Sequence, residues 1–319
     1  MHKLDKQLVS IIVPIYFEET LIDEFYRRLS HVIQAQQDRY KFEVIFVNDG
    51  STDRSLELLL QLHNDTYDIR VIDLSRNFGH QIAITAGIDH AEGDAVLVID
   101  GDLQDPPEII PQMLEKWQEG FSVVYGKRKK RKGETFFKLI TAKIFYRIIR
   151  YLSDTDIPAD SGDFRLMDRK AIDALKSLRE SSRYIRGLVS WVGFKQYALE
   201  YERDERFAGE TKYSLQKMFR LAFDGITGFS EKPLQLSIQL GLVITGAAFL
   251  VLLYTIISSI LHPESVRHGW TSLLTSVVFM GGIQLISIGI LGLYVGRIHR
   301  ETKNRPLYII SEKFGFEKK

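Results

Sequence analysis

The sequence predicts a globular α/β domain followed by two membrane-spanning helices. Over the first hundred residues, short runs rich in Val and Ile alternate with segments whose apolar residues recur at helical spacing. This alternation is typical of a parallel, doubly wound sheet. Residues 233–261 and 271–296 contain no charged residue, and each stretch exceeds the roughly 20 residues that cross a bilayer. We therefore predict a large domain over residues 1–232, a two-helix transmembrane region over 233–296 and a tail over 297–319.

Strands and helices alternate in the large domain. Four runs are predicted as strands because they are short, branched and apolar: Leu8–Val13, Phe42–Val47, Ile69–Leu74 and Ala95–Ile99. Helical spacing between them predicts helices over Thr20–Gln36, Ser55–His63 and Gln81–Ala91. Asp105, Pro106 and Glu108 then have the pattern of an N-cap, a first-turn proline and a capping-box carboxylate. We therefore assign Asp105 to a helix cap and not to a ligand.

Charge is nearly balanced over the chain, with a formal net charge of +1, so the composition gives no sign of a polyanionic partner. The absence of cysteine excludes disulfides and thiolate metal sites. Residues 1–8 are charged and short, unlike a signal peptide. Basic residues flank the uncharged stretches, namely Lys217, Arg220, Lys232, Arg297, Arg300, Lys303 and Arg305, whereas the loop between the stretches carries one arginine, Arg267. The positive-inside rule therefore predicts a multi-pass plasma-membrane protein with the large domain and both termini in the cytoplasm.

Gly292 and Gly296 have the spacing of a small-residue pair on one face of the last predicted span. Such pairs allow two helices to approach closely. The partner could be the first span or another subunit, so a homo-oligomer is possible.

Acidic residues follow three of the predicted strands, at the point where each strand ends. Glu18 comes after the first strand, Asp49 after the second, and Asp100 and Asp102 after the fourth. Because open α/β folds bind ligands at the carboxyl ends of their strands, we expect these side chains to converge on one crevice. Two carboxylates there suit a hard divalent cation that holds a diphosphate, since Mg²⁺ prefers few carboxylates together with substrate oxygens.

Two other kinds of site are disfavoured. No G-x-G-x-x-G pattern follows the first predicted strand, which argues against a dinucleotide dehydrogenase. His80 and His90 lack metal-ligand spacing with other candidate ligands, and we interpret both as structural residues.

Taken together, the motifs resemble those of a known family. They are Val13-Pro14-Ile15-Tyr16 with Glu18, Val47-Asn48-Asp49-Gly50-Ser51-Thr52-Asp53, Asn77-Phe78-Gly79 and Asp100-Gly101-Asp102-Leu103-Gln104-Asp105-Pro106-Pro107. This set resembles the family 2 glycosyltransferases, whose catalytic domain has the Rossmann-like GT-A fold. Further segments narrow the resemblance to one subfamily. They are the segments from Asp160 to Leu166 and from Arg206 to Tyr213, the two predicted spans, and Arg305-Pro306-Leu307-Tyr308. The chain is similar over nearly its whole length to the polyisoprenyl-phosphate glycosyltransferases, relatives of dolichol-phosphate mannose synthase.

The resemblance implies a role for each matching residue. Residues that would hold the nucleotide are Pro14, Tyr16, Glu18, Asp49 and Asn77, with Asp49 accepting from the base and Asp100 facing the ribose or sugar. Asp102 and Gln104 would bind Mg²⁺ or Mn²⁺, and Asp102 is thereby a catalytic candidate. Asp160 and Asp163, the other catalytic candidates, would line the sugar and acceptor side. Cations that would neutralise the phosphates are Arg128, Arg131, Arg206 and Lys212.

The middle of the large domain independently suggests contact with lipid. Residues 127–132 are six consecutive bases, and residues 134–152 follow with an apolar face edged by lysine and arginine. Such a helix suits the membrane interface, where each basic residue near an anionic leaflet contributes about 1 kcal/mol. Residues 213–229 could form a second interfacial helix. A nucleic-acid partner is disfavoured, because no aromatic residues are interleaved with the basic run.

The function implied by the resemblance is inverting transfer of a sugar to a polyprenyl phosphate in the membrane. We expect UDP-glucose as donor and undecaprenyl phosphate as acceptor, and a GDP-mannose-dependent mannose synthase is the alternative. A processive polysaccharide synthase is disfavoured, because Trp191 lacks the preceding arginine of a Gln-x-x-Arg-Trp motif and only two spans are predicted. The intact set of Asp49, Asp100, Asp102 and Arg206 argues against a non-catalytic scaffold or lipid translocator.

Overall fold

The computed structural model describes residues 6–66, 68–128, 161–181, 183–202, 232–261 and 270–316. The chain divides into two compact units. The first contains the described residues up to 202 together with 306–316, and the second contains 232–261 and 270–305. Both predicted interfacial helices, 134–152 and 213–229, lie outside the described residues, as do the candidate site residues Arg131, Asp160, Arg206 and Lys212.

The first unit is built on one sheet of eight strands in the order β7-β5-β6-β4-β1-β2-β3-β8. The strands are β1 (Gln7–Ile15), β2 (Tyr40–Asn48), β3 (Ile69–Leu74), β4 (Ala95–Val98), β5 (Val123–Arg128), β6 (Ser161–Asp168), β7 (Gln196–Tyr201) and β8 (Ile310–Phe314). The four strands predicted from the sequence are all present. For β3 the predicted and observed bounds are identical.

The centre of the sheet is parallel, as predicted, but the sheet as a whole is mixed. β1 pairs in parallel with both β2 and β4, and β2 pairs in parallel with β3. β6 runs antiparallel to β4 and β5, and β8 runs antiparallel to β3. Because β6 is reversed, its first residues lie at the edge where β4 ends. This reversal brings Asp163 into the crevice that the parallel strands form.

Helices cover both faces of this sheet. They are α1 (Ile22–Gln36), α2 (Ser55–Asp65), α3 (His80–His90), α4 (Ile110–Gln118), α5 (Arg169–Ser177) and α6 (Ile185–Trp191). Ile11 on β1 belongs to the core cluster that includes Phe25 of α1 and Met113 of α4. Its neighbour Ile12 contacts the opposite layer, where a Cβ added at Gly87 of α3 would lie 2.3 Å from the Ile12 Cγ2 atom. The central strands are therefore buried on both faces, which explains their continuous apolar sequences.

The predicted cap at Asp105 is wrong. A short 3₁₀ turn begins at Pro107, and its N-cap position is occupied by Pro106 without any side-chain cap. Asp105 is fully buried and accepts a hydrogen bond from the Tyr201 hydroxyl at the end of β7. Glu108 forms a bidentate ion pair with Arg28 of α1, at 2.8 and 2.7 Å. Both carboxylates therefore contact residues that are distant in sequence, and the local capping pattern does not form.

A C-terminal strand that the sequence analysis did not predict completes the sheet. β8 pairs with β3, and the preceding Tyr308 donates its hydroxyl hydrogen bond to Asp89 Oδ2 at 2.8 Å. Arg179 also pairs with this carboxylate, with Nη1 2.8 Å from Oδ2. Burial, together with the adjacent Asp89 carboxylate, raises the pKa of the Tyr308 hydroxyl. Residues 306–316 therefore belong to the same unit as the parallel sheet.

The second unit consists of two long helices, α7 (Lys232–Leu261) and α8 (Trp270–Thr302). The Ser237 hydroxyl of α7 donates a hydrogen bond to the Ser287 Oγ atom of α8 at 2.9 Å. Among the described residues, one segment, Phe279–Thr302, is long and apolar enough to cross a membrane. The prediction of two spans is therefore not confirmed. A Cβ added at Gly292 or Gly296 would meet no atom of the described residues within 4 Å, so the described part of α7 does not pack on this pair.

Candidate active site

The nucleotide-side candidates lie where β1 and β2 end. Pro14 is buried within β1 and is paired in register with Val47, whereas Tyr16 is 39% exposed just beyond the strand. The Phe17 amide donates to Ser51 Oγ at 3.2 Å, and the Glu18 amide donates to Ser55 Oγ at 3.1 Å. These bonds tie the loop after β1 to the loop after β2 and to the first residue of α2. The structure therefore brings Pro14, Tyr16, Glu18 and Asp49 to one edge of the sheet, as predicted.

Asp49 is buried, and its carboxylate is occupied by protein donors. Oδ1 accepts from the Phe78 amide at 2.7 Å, and Oδ2 accepts from the Gly79 amide and from Asn77 Nδ2, each at 3.0 Å. Burial raises the pKa of Asp49, although the two backbone hydrogen bonds oppose this shift. In the structure, Asp49 therefore holds the loop that carries Asn77. Contact of either residue with a nucleotide base stays a prediction.

Gly50 allows these two loops to approach each other. Its φ of +66° lies in the left-handed region. A Cβ at this position would be 2.4 Å from the carbonyl carbon of Arg76, which is a backbone atom. A larger residue would therefore separate Asp49 from the loop that it holds.

Asp102 and Gln104 lie in a tight turn after β4. Asp102 Oδ1 accepts a hydrogen bond from the Gln104 amide at 3.1 Å, which is an Asx-type turn. Leu103 between them has a φ of +59°, and the Gln104 side chain is mostly buried. A leucine held in the left-handed region is an uncommon conformation that costs about 1 kcal/mol or more, and such strain clusters at functional sites.

Asp163 is the most completely paired carboxylate of the site. Arg186 of α6 contacts it with two guanidinium nitrogens, with Nε to Oδ1 at 2.9 Å and Nη2 to Oδ2 at 3.0 Å. The Gln81 side-chain amide donates to the same Oδ2 at 2.9 Å. Burial would raise the pKa of Asp163, but Arg186 and His80 outweigh it and hold this pKa well below its usual range. Asp163 is thus an ionised, fixed group.

His80 lies between two of the site carboxylates. Its Nε2 atom is 3.3 Å from Asp163 Oδ2 and 3.4 Å from Asp100 Oδ1, and its side chain is 44% exposed. Burial would lower the pKa of His80, but Asp100 and Asp163 outweigh it and raise the pKa to about 9. His80 therefore contacts two site carboxylates, and its interpretation as a structural residue stays a prediction. For His90 the same interpretation is confirmed, because its Nδ1 lies 2.9 Å from the Ala86 carbonyl oxygen and its ring packs on Tyr308 and Phe316.

The pairing of Asp100 is the opposite of that of Asp163. Its buried Oδ1 atom receives no hydrogen bond from the described residues. Burial raises the pKa of Asp100 to about 6; His80 opposes the shift, while the carboxylates of Asp163, Asp105 and Asp102 add to it. The site therefore gathers more negative charge than its described cations neutralise.

Sequence reasoning missed four residues of this network. His80 and Gln81 directly follow the motif Asn77-Phe78-Gly79, so their position at the start of α3 was a usable signal. Arg186 lies 23 positions after Asp163, and no spacing rule connects them. Arg165 is buried beside the pair, with Nη2 3.9 Å from Asp163 Oδ1, and burial lowers its pKa to about 10. For Arg128, which ends β5, the structure describes the backbone only.

Comparison with known proteins places this geometry in a family. The family model for glycosyl transferase family 2 matches residues 10–176, which include Asp49, Asp100, Asp102 and Asp163. This chain belongs to glycosyl transferase family 2. It is 53% identical over 310 residues to an uncharacterized glycosyltransferase, YkcC, of Bacillus subtilis, covering 97% of this chain and 95% of that protein.

Two further relatives carry a functional name. The chain is 41% identical over 302 residues to a prophage bactoprenol glucosyl transferase homolog of Escherichia coli, covering 95% of this chain and 98% of that protein. It is also 41% identical over 304 residues to an SfII prophage-derived bactoprenol glucosyl transferase of Shigella flexneri, covering 95% of this chain and 97% of that protein. The resemblance to polyisoprenyl-phosphate glycosyltransferases is thereby confirmed.

The solved structures that match this family 2 chain share little sequence with it. Glucosyl-3-phosphoglycerate synthase from Mycobacterium tuberculosis, crystallised with Mn²⁺, UDP and phosphoglyceric acid, has a TM-score of 0.48 at 18% identity, covering 69% of this chain and 76% of that chain. S. aureus TarS 1–349 in complex with UDP-GlcNAc has a TM-score of 0.45 at 21% identity, covering 69% of this chain and 65% of that chain.

The residues of this family 2 site fit a divalent cation on chemical grounds. Asp102 and Gln104 offer a carboxylate and an amide oxygen in one tight turn, and the carboxylate of Asp100 adds negative charge nearby. Within the described part of the chain, no three His, Asp or Glu side chains form a ligand set by themselves. A cation here would need oxygens from a substrate, which is how Mg²⁺ is commonly held on one or two carboxylates and a diphosphate.

Proposed function

We propose that this chain transfers glucose from UDP-glucose to undecaprenyl phosphate at the cytoplasmic leaflet, with inversion at the sugar carbon. One observation carries the proposal: four aspartates, Asp49, Asp100, Asp102 and Asp163, meet at one sheet edge of a family 2 chain. The similarity of the whole chain to bactoprenol glucosyl transferases supports the choice of sugar and acceptor. The product would be a glucosyl lipid for modification of the cell envelope.

The nucleotide would bind on the side of β1 and β2. Tyr16 is exposed there beside the fixed Asp49 loop, so its ring is available to the base. Asn77 is held by Asp49, and Asp100 follows β4 towards the ribose or sugar. We propose Pro14, Tyr16, Glu18, Asp49, Asn77 and Asp100 as the donor site of a GT-A domain over residues 1–232.

Asp102 and Gln104 would hold Mg²⁺ or Mn²⁺ at the donor diphosphate. The ion would supply neutralisation of the charge that grows on the leaving diphosphate. These two side chains are preorganised, because the Gln104 amide donates a hydrogen bond to one oxygen of Asp102 and burial restricts the Gln104 side chain. Preorganised groups of this kind cost no rearrangement during the reaction.

The state of Asp163 favours a phosphate as the acceptor. A general base must release or take a proton near neutral pH, but four contacts from Arg186, Gln81 and His80 hold Asp163 ionised. A lipid phosphate is already ionised and needs no strong base. We therefore propose that Asp163 orients groups of the site, and that Arg128, Arg131, Arg206 and Lys212 neutralise the phosphates, with Asp160 on the acceptor side.

Membrane attachment would keep the lipid acceptor in the bilayer during transfer. Phe279–Thr302 of α8 has the length and apolar composition of a span. We propose α7 as the second span and residues 134–152 and 213–229 as interfacial helices, with both termini in the cytoplasm. A transmembrane region over 233–296 then anchors the enzyme.

The test uses purified full-length protein in liposomes with undecaprenyl phosphate, Mg²⁺ or Mn²⁺, and radiolabelled sugar nucleotides. We expect label from UDP-glucose in the organic extract, lost with EDTA and reduced at least about 100-fold in Asp102→Ala, which removes a group that stabilises developing charge. Asp38→Asn, at an exposed turn residue, is the matched control and should transfer at the wild-type rate.

Four results would overturn parts of the proposal. Label transferred from GDP-mannose alone would show a mannose synthase. Transfer into a polymer that stays in the aqueous phase would show a processive synthase. No transfer from any donor would show a scaffold or translocator, and near-normal transfer by Asp102→Ala would contradict the metal assignment.

A further inference from the structure

His80 is the first residue of α3, and it links two strands that the sheet places side by side. β4 and β6 are antiparallel neighbours, with Val98 opposite Arg165. Asp100 comes two residues after Val98, and Asp163 comes two residues before Arg165. Both residues therefore lie just beyond the last pair of this ladder. His80 Nε2 lies 3.4 Å from one carboxylate and 3.3 Å from the other.

Asp163 forms the fixed end of this link. Arg186 and Gln81 donate three hydrogen bonds to its two oxygens. Gln81 is itself held, because its Oε1 atom accepts from the Ile185 amide at 3.0 Å. The position of Asp163 therefore does not depend on His80.

Asp100 forms the movable end. Its Oδ1 atom is buried without a hydrogen bond from the described residues. Among those residues, His80 is the one basic side chain within ion-pair distance of Asp100. Asp100 lies two residues beyond the end of β4, and rotation about its two side-chain torsions stays possible unless another group restrains the carboxylate.

We propose that His80 is a positioning residue that orients the Asp100 carboxylate towards the donor sugar by bridging it to the fixed carboxylate of Asp163. The inference rests on the proposed function, since it assigns Asp100 to the sugar. It differs from a structural role, because removal of the imidazole would alter catalysis and leave folding and nucleotide binding in place.

The charge of His80 is consistent with this bridge. With a pKa raised to about 9 by Asp100 and Asp163 against the effect of burial, the imidazole is a cation at neutral pH. Arg186 is the other charged group near the ring, and it lowers this pKa. A cation between two carboxylates both attracts them and partly relieves their mutual repulsion.

The first test compares His80→Phe, which keeps a ring but no donor, with His80→Gln, which keeps a donor. Because a small misplacement of a reacting group can cost about 10²-fold in rate, we expect kcat for glucosyl transfer to fall by about 10- to 100-fold in His80→Phe. KM for undecaprenyl phosphate and Kd for UDP should change less than about threefold, and His80→Gln should recover part of kcat. His90→Phe, the same change at the other end of α3, should be within about twofold of wild type.

A double-mutant cycle tests whether His80 acts through Asp100. If it does, the variant with both His80→Phe and Asp100→Asn should be as slow as Asp100→Asn alone. Losses that multiply would overturn the inference, because they would show that His80 acts independently. An unchanged kcat in His80→Phe would overturn it as well.

A spectroscopic measurement separates failure of this inference from failure of the proposed function. In full-length protein labelled with ¹⁵N at histidine, the His80 imidazole signal, assigned by its absence in His80→Phe, should shift in Asp100→Asn. It should stay in place in the control Asp38→Asn. An unshifted signal in Asp100→Asn would overturn the bridge whatever the enzyme transfers, whereas a shifted signal in a protein without transfer activity would leave the bridge and reject the proposed function.

Discussion

Asp49 and Asp100 occupy equivalent places in the sheet but have opposite surroundings. Each follows a parallel strand at its carboxyl end, and each carries a carboxylate whose pKa is raised by burial. Asp49 receives three hydrogen bonds, two of them from backbone amides. Asp100 has one oxygen without any hydrogen bond from the described residues and a single histidine at 3.4 Å.

This difference separates a carboxylate that holds a loop of the proposed donor site in place from one that has an oxygen available to a ligand. A buried carboxylate with several donors recovers part of the solvation that it loses on folding. A buried carboxylate without donors costs stability, and such groups persist in sites that use them. The number of donors around each aspartate therefore distinguishes the two roles better than its place at the sheet edge.

Among Asp100→Asn, Asp49→Asn, Tyr201→Phe and Tyr308→Phe, the first is expected to have the largest effect on activity, and it should increase stability. Loss of the carboxylate should lower the rate of glucosyl transfer by about 100-fold, as for other groups that act directly on a reacting substrate. The free energy of unfolding at pH 8 should rise by about 1 to 3 kcal/mol, because the substitution removes a partly buried charge whose Oδ1 atom has no hydrogen bond from the described residues. Chemical denaturation of the detergent-solubilised protein measures the second effect, and a loss of stability would contradict it.

The pH dependence of that gain follows from the raised pKa of Asp100. Burial raises it from 3.8 to about 6, so the folded protein binds the proton more tightly than the unfolded chain. The favourable contribution of this group is present below its unfolded pKa and is lost as the pH rises through about 6. Wild type and Asp100→Asn should therefore be similarly stable near pH 4 and should diverge between pH 4 and 7, with wild type becoming the less stable.

Asp49→Asn is expected to have the reverse pattern, with stability as the main loss. The new amide can present only one acceptor oxygen to the donors of residues 77–79, and its NH₂ group would face an N–H group. Because hydrogen bonds to charged groups contribute about 1.5 to 3 kcal/mol each, we expect the free energy of unfolding to fall by about 2 kcal/mol. The matched substitution at the exposed Asp38 should change stability by less than about 0.5 kcal/mol. Equal losses in the two variants would contradict the assignment of Asp49 to the loop.

The parallel half of the fold and the acidic edge could be predicted because both depend on local patterns. Apolar runs define β1 to β4, and polar residues at their ends define the crevice. The direction of β6 could not be predicted in this way, because it depends on pairing with β4 and β5, which are distant in sequence. Asp163 was therefore predicted as a site residue from a family resemblance, and its partners were not predicted.

Asp105 and Arg186 show why local patterns can mislead. The sequence from Asp105 to Glu108 matches a capping box, yet the partner of Asp105 is the Tyr201 hydroxyl, 96 positions away. The guanidinium group of Arg186, a residue of α6, donates a hydrogen bond to Asp163. Helical spacing alone gives no reason to select this arginine. In both cases a tertiary contact decides the role, and such contacts become visible only once the strands are placed.

Tyr201→Phe tests the contact that replaces the predicted cap and should have a smaller effect than Asp49→Asn. Its hydroxyl donates to the buried Asp105, next to the turn that carries Asp102. Removal of one donor from a buried carboxylate should cost about 1 to 2 kcal/mol in the free energy of unfolding. Tyr197→Phe is a matched control on the same strand, since its hydroxyl has no hydrogen bond among the described contacts. A stability change equal to that of the control would contradict the importance of the contact.

Tyr308→Phe tests the attachment of β8 and should have the smallest effect of the four. The hydroxyl donates to Asp89, but Arg179 also pairs with that carboxylate, so Asp89 keeps a charged partner after the substitution. We therefore expect a loss of about 1 kcal/mol in the free energy of unfolding, and unchanged transfer, because neither residue lies at the acidic edge. Hydrogen exchange should be faster in β8 than in wild type and unchanged in β1, since a local contact protects the edge strand before the centre. Equal acceleration in both strands would instead show that Tyr308 stabilises the whole sheet.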